Sequence, residues 1–246
     1  MPVSSVVLNR RVYVGGYDLT GTSSSQELSI GFEQVDATVM SDTTRSSLPG
    51  LMTASLTHQG FVTEGTSGSE SIYHNKLGDS VVVTMGCETA SDGEAAYFLK
   101  GNGYSLTLPD NIGELPQLTF EIAPDQSEGV ARGTVLHDAV TARTSSGTGT
   151  VRELGAVSSS QKLYAAIHVI AASGSTPTLD VVIRSDDNSG MTSPVTRMSC
   201  TQVTSSVGAE YLSPVSGPIT DSFWDISATL SGGSASYNFI VTVGIQ

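Results

Sequence analysis

The chain has 246 residues, 38% of them hydrophobic and 14% charged, with a net charge of −13 from 11 Lys and Arg against 24 Asp and Glu. That length accommodates one large all-β domain or two small ones, each with a core of its own. The basic residues form no cluster, so the patch needed to neutralise phosphates is missing and specific nucleic-acid binding is not expected.

An acidic surface either keeps a protein soluble or repels DNA. Ser, Thr and Gly fill the rest of the composition, which suits many short strands with tight turns. The two cysteines, Cys87 and Cys200, lie far apart beside strand-like runs, and free thiols are expected over a disulfide. The start, MPVSSVVLNRRVYV, lacks a long apolar stretch, and no run is long enough to span a bilayer. The chain is therefore expected to be made in the cytoplasm and not secreted.

The first elements read as a short strand at 12–14, a Gly15-Gly16 turn, and then two alternating strands. Leu28, Ile30 and Phe32 alternate with Glu27, Ser29 and Gly31; Met52, Ala54 and Leu56 alternate with Thr53, Ser55 and Thr57. Alternation of this kind predicts strands with one face on a core. Between them, residues 36–50 form a long polar loop, and a loop of that length in a compact domain is functional or disordered. It carries Asp36, Asp42, Arg45, Leu48 and Pro49, and is expected to be an assembly arm that reaches a neighbouring subunit.

Residues 63–75 read as a surface loop and 80–86 (SVVVTMG) as a central strand. A helix is predicted over 92–100: Ser91 and Glu94 have capping-box spacing, Lys100 complements the dipole, and Gly101 suits the left-handed residue after the end. Tyr97 or Phe98 would hold it against a sheet. Further strands are predicted at 104–108, 115–123 and 129–140.

Residues 143–160 are rich in Ser, Thr and Gly and read as a linker. Residues 162–172 are apolar on both faces, as in a covered central strand. Residues 174–177 then read as a turn into a strand at 178–185, with a weaker strand at 194–203. Gly232-Gly233 reads as the turn of a closing hairpin, with Trp224, Ile226, Ala228 and Leu230 inward on one strand and Tyr237, Phe239, Val241, Val243 and Ile245 on the other.

No hydrolase, zinc-protease, P-loop or EF-hand motif occurs, and neither catalysis nor a cofactor is expected. Asp186-Asp187-Asn188 resembles the start of a cation loop but lacks the spaced carboxylates and bidentate Glu of a calcium cage, so an acidic turn is the expected reading. Asp221 with Asp225 reads as strand-face charge. His58, His137 and His168 fall in strands and His74 in a loop, positions that suit satisfied or exposed side chains better than bases. Trp224 beside Phe223 offers a sugar-stacking platform, but its phase with Ile226 and Leu230 places it in the core.

The segments DLTGTSSSQELSIGFEQVDATVMSD and PGLMTASLTHQGFV, followed by GEAAYFLKGNGYSLTL and IGELPQLTFEIAPDQSEGVARGTVL, resemble tail tube proteins of long-tailed bacteriophages. KLYAAIHVIAASGSTPTLDVVIRSDD and SYNFIVTVGIQ resemble their C-terminal β domain. The resemblance implies a mainly β protein of two sandwich- or barrel-like domains, 1–142 of tail-tube type with the short flanking helix at 92–100, then 161–246. It further implies a virion structural protein forming rings, hexameric or trimeric with pseudo-sixfold symmetry. Such rings would stack through the 36–50 loop into a tube, alongside other phage tail proteins. DNA would pass through the lumen without specific binding, and no membrane would be involved. Two competing readings are a virion decoration or host-carbohydrate-binding module, motivated by Trp224 and Tyr237, and a capsid-fibre or head-completion protein.

Overall fold

The computed structural model describes residues 10–109, 112–125 and 129–246. The elements in order are β1 (Val12–Val14), β2 (Tyr17–Asp18), β3 (Ser23–Asp36), β4 (Ser47–Phe61), α1 (Ser69–His74), β5 (Ser80–Gly86), β6 (Ala95–Thr107), β7 (Gln117–Pro124) and β8 (Val130–His137). There follow β9 (Gly147–Thr148), β10 (Arg152–Glu153), β11 (Lys162–Asp186), β12 (Val195–Ser199), β13 (Gly208–Tyr211), β14 (Val215–Ser216) and β15 (Phe223–Ile245). The protein is mainly β, and every pairing given for these strands is antiparallel. Among the described residues no helix is long and apolar enough to cross a membrane.

Compactness divides the chain differently from the expected 1–142, 143–160 and 161–246. The larger unit takes the described residues of Met1–Gly21, Val81–Leu99 and Ala131–Gln246; the smaller takes Thr22–Ser80 and those of Lys100–Val130. The stretch read as a linker, 143–160, carries β9 and β10, both paired to β15.

In the larger unit, β11 and β15 are 25 and 23 residues long and pair from Leu163↔Ile245 to Asp186↔Phe223. The two turns predicted at 174–177 and 232–233 are therefore absent, and two expected hairpins become one ribbon. The turn-forming residues lie across from one another, with Ser175 opposite Gly233, and the register shifts there. Gly174 (φ 126°), Thr176 (φ 47°), Gly232 (φ 99°) and Ser234 (φ 53°) all take left-handed backbone conformations. Glycine's missing Cβ makes that cheap, so the same residues bend two strands together instead of reversing each.

One face of the ribbon is the main core, where Leu163, Ile167, Val181, Ile183, Trp224, Ile226, Tyr237 and Phe239 pack together. On its other side Tyr164 and Ala166 meet Val82, Phe98 and Ala131. The doubly apolar reading of 162–172 holds for 163–169, while Ala171 is exposed, and the inward sets on β15 hold. His168 is buried, its Nδ1–H donating to the Gly15 carbonyl oxygen at 2.7 Å and its Nε2 accepting the Thr84 hydroxyl at 2.8 Å.

The helix predicted over 92–100 is a turn followed by β6. Ser91 and Glu94 do interact as a capping box would, the Ser91 N–H donating to Glu94 Oε2 at 3.1 Å. Here the contact closes a turn, which Thr89 also joins. Beyond it Ala96 and Phe98 are buried while Ala95 and Tyr97 are only partly so, the period of a strand. Gly101 lies in β6, where an added Cβ would come within 2.4 Å of the Ala123 carbonyl oxygen. The one α-helix among the described residues, α1, falls in the segment read as a surface loop, with Ile72 and Tyr73 buried.

Candidate channel and assembly surfaces

The smaller unit is a sheet in the order β3–β4–β7–β6, using Lys100–Thr107 of β6. Alternation along its strands separates two faces. On the inner face Leu56, His58, Leu118, Phe120 and Ile122 are buried together with Ile72 and Tyr73 of α1. The Tyr73 ring stacks on Phe120 with centroids 4.4 Å apart.

His58 is held at both ring nitrogens, by the Ser23 hydroxyl at Nε2 and the Tyr73 hydroxyl at Nδ1, each at 2.6 Å. Burial pushes its pKa down to about 4, and raises that of Tyr73. The ring is therefore neutral and enclosed at pH 7, a structural joint between β3, β4 and α1.

The outer face is polar. One row across the sheet reads Glu27, Thr57, Glu121 and Ser105; the next reads Ser25, Gln59, Thr119 and Thr107. Toward the β3–β4 end follow Ser29 opposite Ser55 and Gly31 opposite Thr53. Ser105 donates to Glu121 at 3.0 Å. These paired rows contain no Lys or Arg, and their carboxylates come from Glu27 and Glu121. Such rows present hydroxyls, an amide and negative charge, and offer no cation to neutralise a phosphate backbone.

Among the described residues the β4–β7 pairing ends at Leu56↔Ile122, and beyond it β3 and β4 pair with each other as a two-stranded arm. The strands are longer than expected: β3 ends at Asp36 and β4 begins at Ser47, so the loop is 37–46 and not 36–50. Leu48 pairs with Val35 and Pro49 with Gln34. At the tip the Thr38 N–H donates to Asp36 Oδ1 at 2.9 Å and the Val39 N–H to Asp42 Oδ2 at 3.0 Å. The Thr38 hydroxyl and then its N–H hold the Asp36 pKa below the usual carboxylate range. Arg45 shares a shallow depression with Gln34, Asp36, Ser46 and Ser47. The five residues expected in the loop thus gather at one hairpin end.

The arm's other property was not expected. Ile30, Phe32 and Met52 continue the inner apolar rows outward, but Phe32 is 63% exposed and Ile30 and Met52 more than 40%. Val35, Val39, Met40, Leu48 and Leu51 are exposed as well. The alternation that predicted a core-facing strand is present along the whole arm. The core beneath it ends at Leu28 and Leu56.

The remaining candidates are structural. Asp186 accepts N–H groups from Asn188 and Ser193, a turn and not a cage. Asp225 is buried in a bidentate pair with Arg184, and Asp221 accepts from Ser185 and Arg197. Among the described residues, no group of three or more His, Cys, Asp or Glu is placed to hold a metal ion. Trp224 and Tyr237 are fully buried, with Trp224 Nε1 donating to the Gly155 carbonyl at 2.9 Å, so neither offers a ring face to a sugar. His137 lies against Phe239, its pKa lowered by burial and by Arg143; His74 is exposed on α1. Cys87 and Cys200 are free, and burial raises Cys200 to about 12.

No family model and no curated protein matches the chain. Among solved structures it is similar to the sheath–tube complex of an extracellular contractile injection system, PVC, in its extended state. That match has 14% identity and a TM-score of 0.43 over 55% of this chain and 94% of the other. It is also similar to the tail tube of phage SPP1, with 13% identity and a TM-score of 0.38 over 47% and 72%. The SPP1 Dit protein, described as a hub adsorption apparatus of phages infecting Gram-positive bacteria, matches over 96% of this chain and 99% of its own. Its identity is 12% and its TM-score 0.33. With TM-scores of 0.33 to 0.43, these three are partial likenesses and not a family assignment.

Proposed function

We propose that this chain is a structural subunit of a phage tail, assembling into homo-oligomeric rings that stack into a tube through which DNA passes. A hexameric ring, or a trimeric ring with pseudo-sixfold symmetry, suits the reading. The observation that carries it is the two-sided sheet of the smaller unit. The central rows of its outer face, from Ser25 and Glu27 across to Thr107 and Ser105, carry hydroxyls, an amide and two glutamates and no Lys or Arg; Lys100, farther along β6, is paired with Asp125. Turned toward a bore, these rows would let a polyanion slide by without adhering.

The arm supports the same reading. A two-stranded ribbon is marginally stable by itself in water, and large apolar side chains left open on it mark a surface that another molecule covers. The chain performs no reaction on this reading, and its place is the virion.

Negative-stain images of the concentrated protein test the proposal. Rings or tubes of uniform width are expected. A strictly monomeric sedimentation profile at the highest attainable concentration, with no rings in the images, overturns it.

A further inference from the structure

A cavity of about 320 Å³ opens in the larger unit between β11, β13 and the segment 201–207. Its origin is a missing side chain. In the β11–β13 pairing Ile167 lies opposite Glu210, and Val169 lies opposite Gly208. Directly paired residues point to the same face of a sheet. The Glu210 side chain therefore stands beside Ile167, and nothing stands beside Val169. A Cβ added at Gly208 would meet no atom within 4 Å. Ile167, Val169 and Val203 supply the apolar lining.

The walls are held from several sides. Val203 and Leu179 exchange backbone hydrogen bonds, at 2.8 and 2.9 Å. The Tyr237 hydroxyl donates to the Thr204 carbonyl at 3.0 Å. Glu210 Oε2 accepts the Thr201 N–H at 2.7 Å, and Oε1 accepts the Thr201 hydroxyl at 3.0 Å. A cavity fixed in this way is formed before any ligand arrives. Each Glu210 oxygen keeps a further acceptor site, and none of the lining residues is Lys or Arg.

We propose that this cavity binds a short primary alkylammonium ion, its carbon chain on Ile167, Val169 and Val203 and its ammonium group donating to Glu210. The site belongs to the larger unit alone and stands apart from the tube reading. One acid at the edge of an otherwise neutral, apolar hollow selects a cation with an apolar body, and an alkyl carboxylate of equal size would meet Glu210 as a like charge. The volume is at the low end of the range for ligand sites, which limits the body to a few carbons. Burial of that body drives binding. The ammonium group stays near the mouth, where Thr201 and Gln202 are exposed, so it keeps part of its water and avoids the full desolvation penalty of a buried ion pair.

Saturation-transfer NMR on the full chain tests this, with n-butylammonium, butanoate and butan-1-ol as probes. Transfer to n-butylammonium is expected, with a Kd on the order of 1 mM, and binding about tenfold weaker for the other two. Glu210→Gln should weaken n-butylammonium binding about tenfold. Gly208→Leu places a side chain in the hollow from an unobstructed Cβ and should abolish transfer; circular dichroism and a thermal melt establish that it folds. No transfer to n-butylammonium, or equal transfer to all three probes, overturns the proposal. Transfer unchanged in Gly208→Leu also overturns it, because the amine is then held elsewhere on the acidic surface. Binding of Nα-acetyl-lysine amide without binding of n-butylammonium overturns it in favour of a lysine side chain from another protein.

Discussion

The Tyr73 hydroxyl lies 2.6 Å from His58 Nδ1 in the core of the smaller unit, joining the single α-helix of the described residues to the strand that becomes the arm. In the larger unit His168 is enclosed in the same way between Thr84 and Gly15. Both imidazoles have pKa values lowered by burial to about 4.

Stability is expected to fall as the pH drops from about 6.5 to about 4. In that window the unfolded chain binds protons at these histidines that the folded chain refuses, so the unfolded state gains. Each histidine accounts for up to about 3 kcal/mol. Asp186 and Asp221, whose pKa values are lowered by hydrogen bonds, lose their contribution only below the ordinary carboxylate pKa of about 4. Urea midpoints at pH 7.5, 6 and 4.5 check this, and a flat profile contradicts it.

Leu48→Asp should leave the fold intact and block assembly. Leu48 is 59% exposed, and surface substitutions of this kind change stability within about 0.5 kcal/mol. A charge there forbids apolar burial by a neighbour. Sedimentation of the variant beside the parent protein reads the outcome; normal polymerisation removes the arm as the joint.

Glu27→Lys with Glu121→Lys turns the polar face cationic without touching the core beneath. Assembled particles of the double variant should retain double-stranded DNA at 50 mM salt and release it as salt rises, as counterion release requires. Particles of the parent protein should not retain it. Equal behaviour of the two means that this face does not meet the DNA.

Arg184→Ala should cost about 3–5 kcal/mol, because it leaves the buried Asp225 carboxylate without its partner. Replacing both residues by apolar ones should recover most of that loss. Chemical denaturation of the two variants separates these outcomes.

Trp224→Ala should cost about 3–5 kcal/mol through the cavity it leaves. Since Trp224 is fully buried, any loss of glycan binding in this variant would have to track loss of fold. Thermal melts beside glycan arrays check both.

Strand alternation made much of the fold legible. The apolar sets on the first half of β11 and on β5 were readable because both faces of a covered strand are apolar, and that on β15 because one inward face alternates with polar residues. The turns were less so. Gly174, Gly232 and Gly233 signal a reversal when each strand is read alone; that they would face one another and bend a ribbon depends on pairing across about 60 residues of chain. The supposed helix at 92–100 failed because a capping contact also closes a turn, and five apolar residues in a row suit either period. The arm was half legible. Leu28, Ile30 and Phe32 announce a strand, but local sequence does not tell how far β7 accompanies it, and that decides which of the three remain open to solvent.

The shared bend in the β11–β15 ribbon has one more effect. Plain alternating strands of this length can slide by a residue or two, and each single step turns every inward side chain outward. Here the irregular backbone of one strand must lie beside that of the other, like a notch over a pin. A slide would strand Gly174 and Gly232 against ordinary pleat and force side-chain-bearing neighbours into their conformations. The glycines that look like places to stop the chain are what index Val181, Ile183 and Trp224 to the inside.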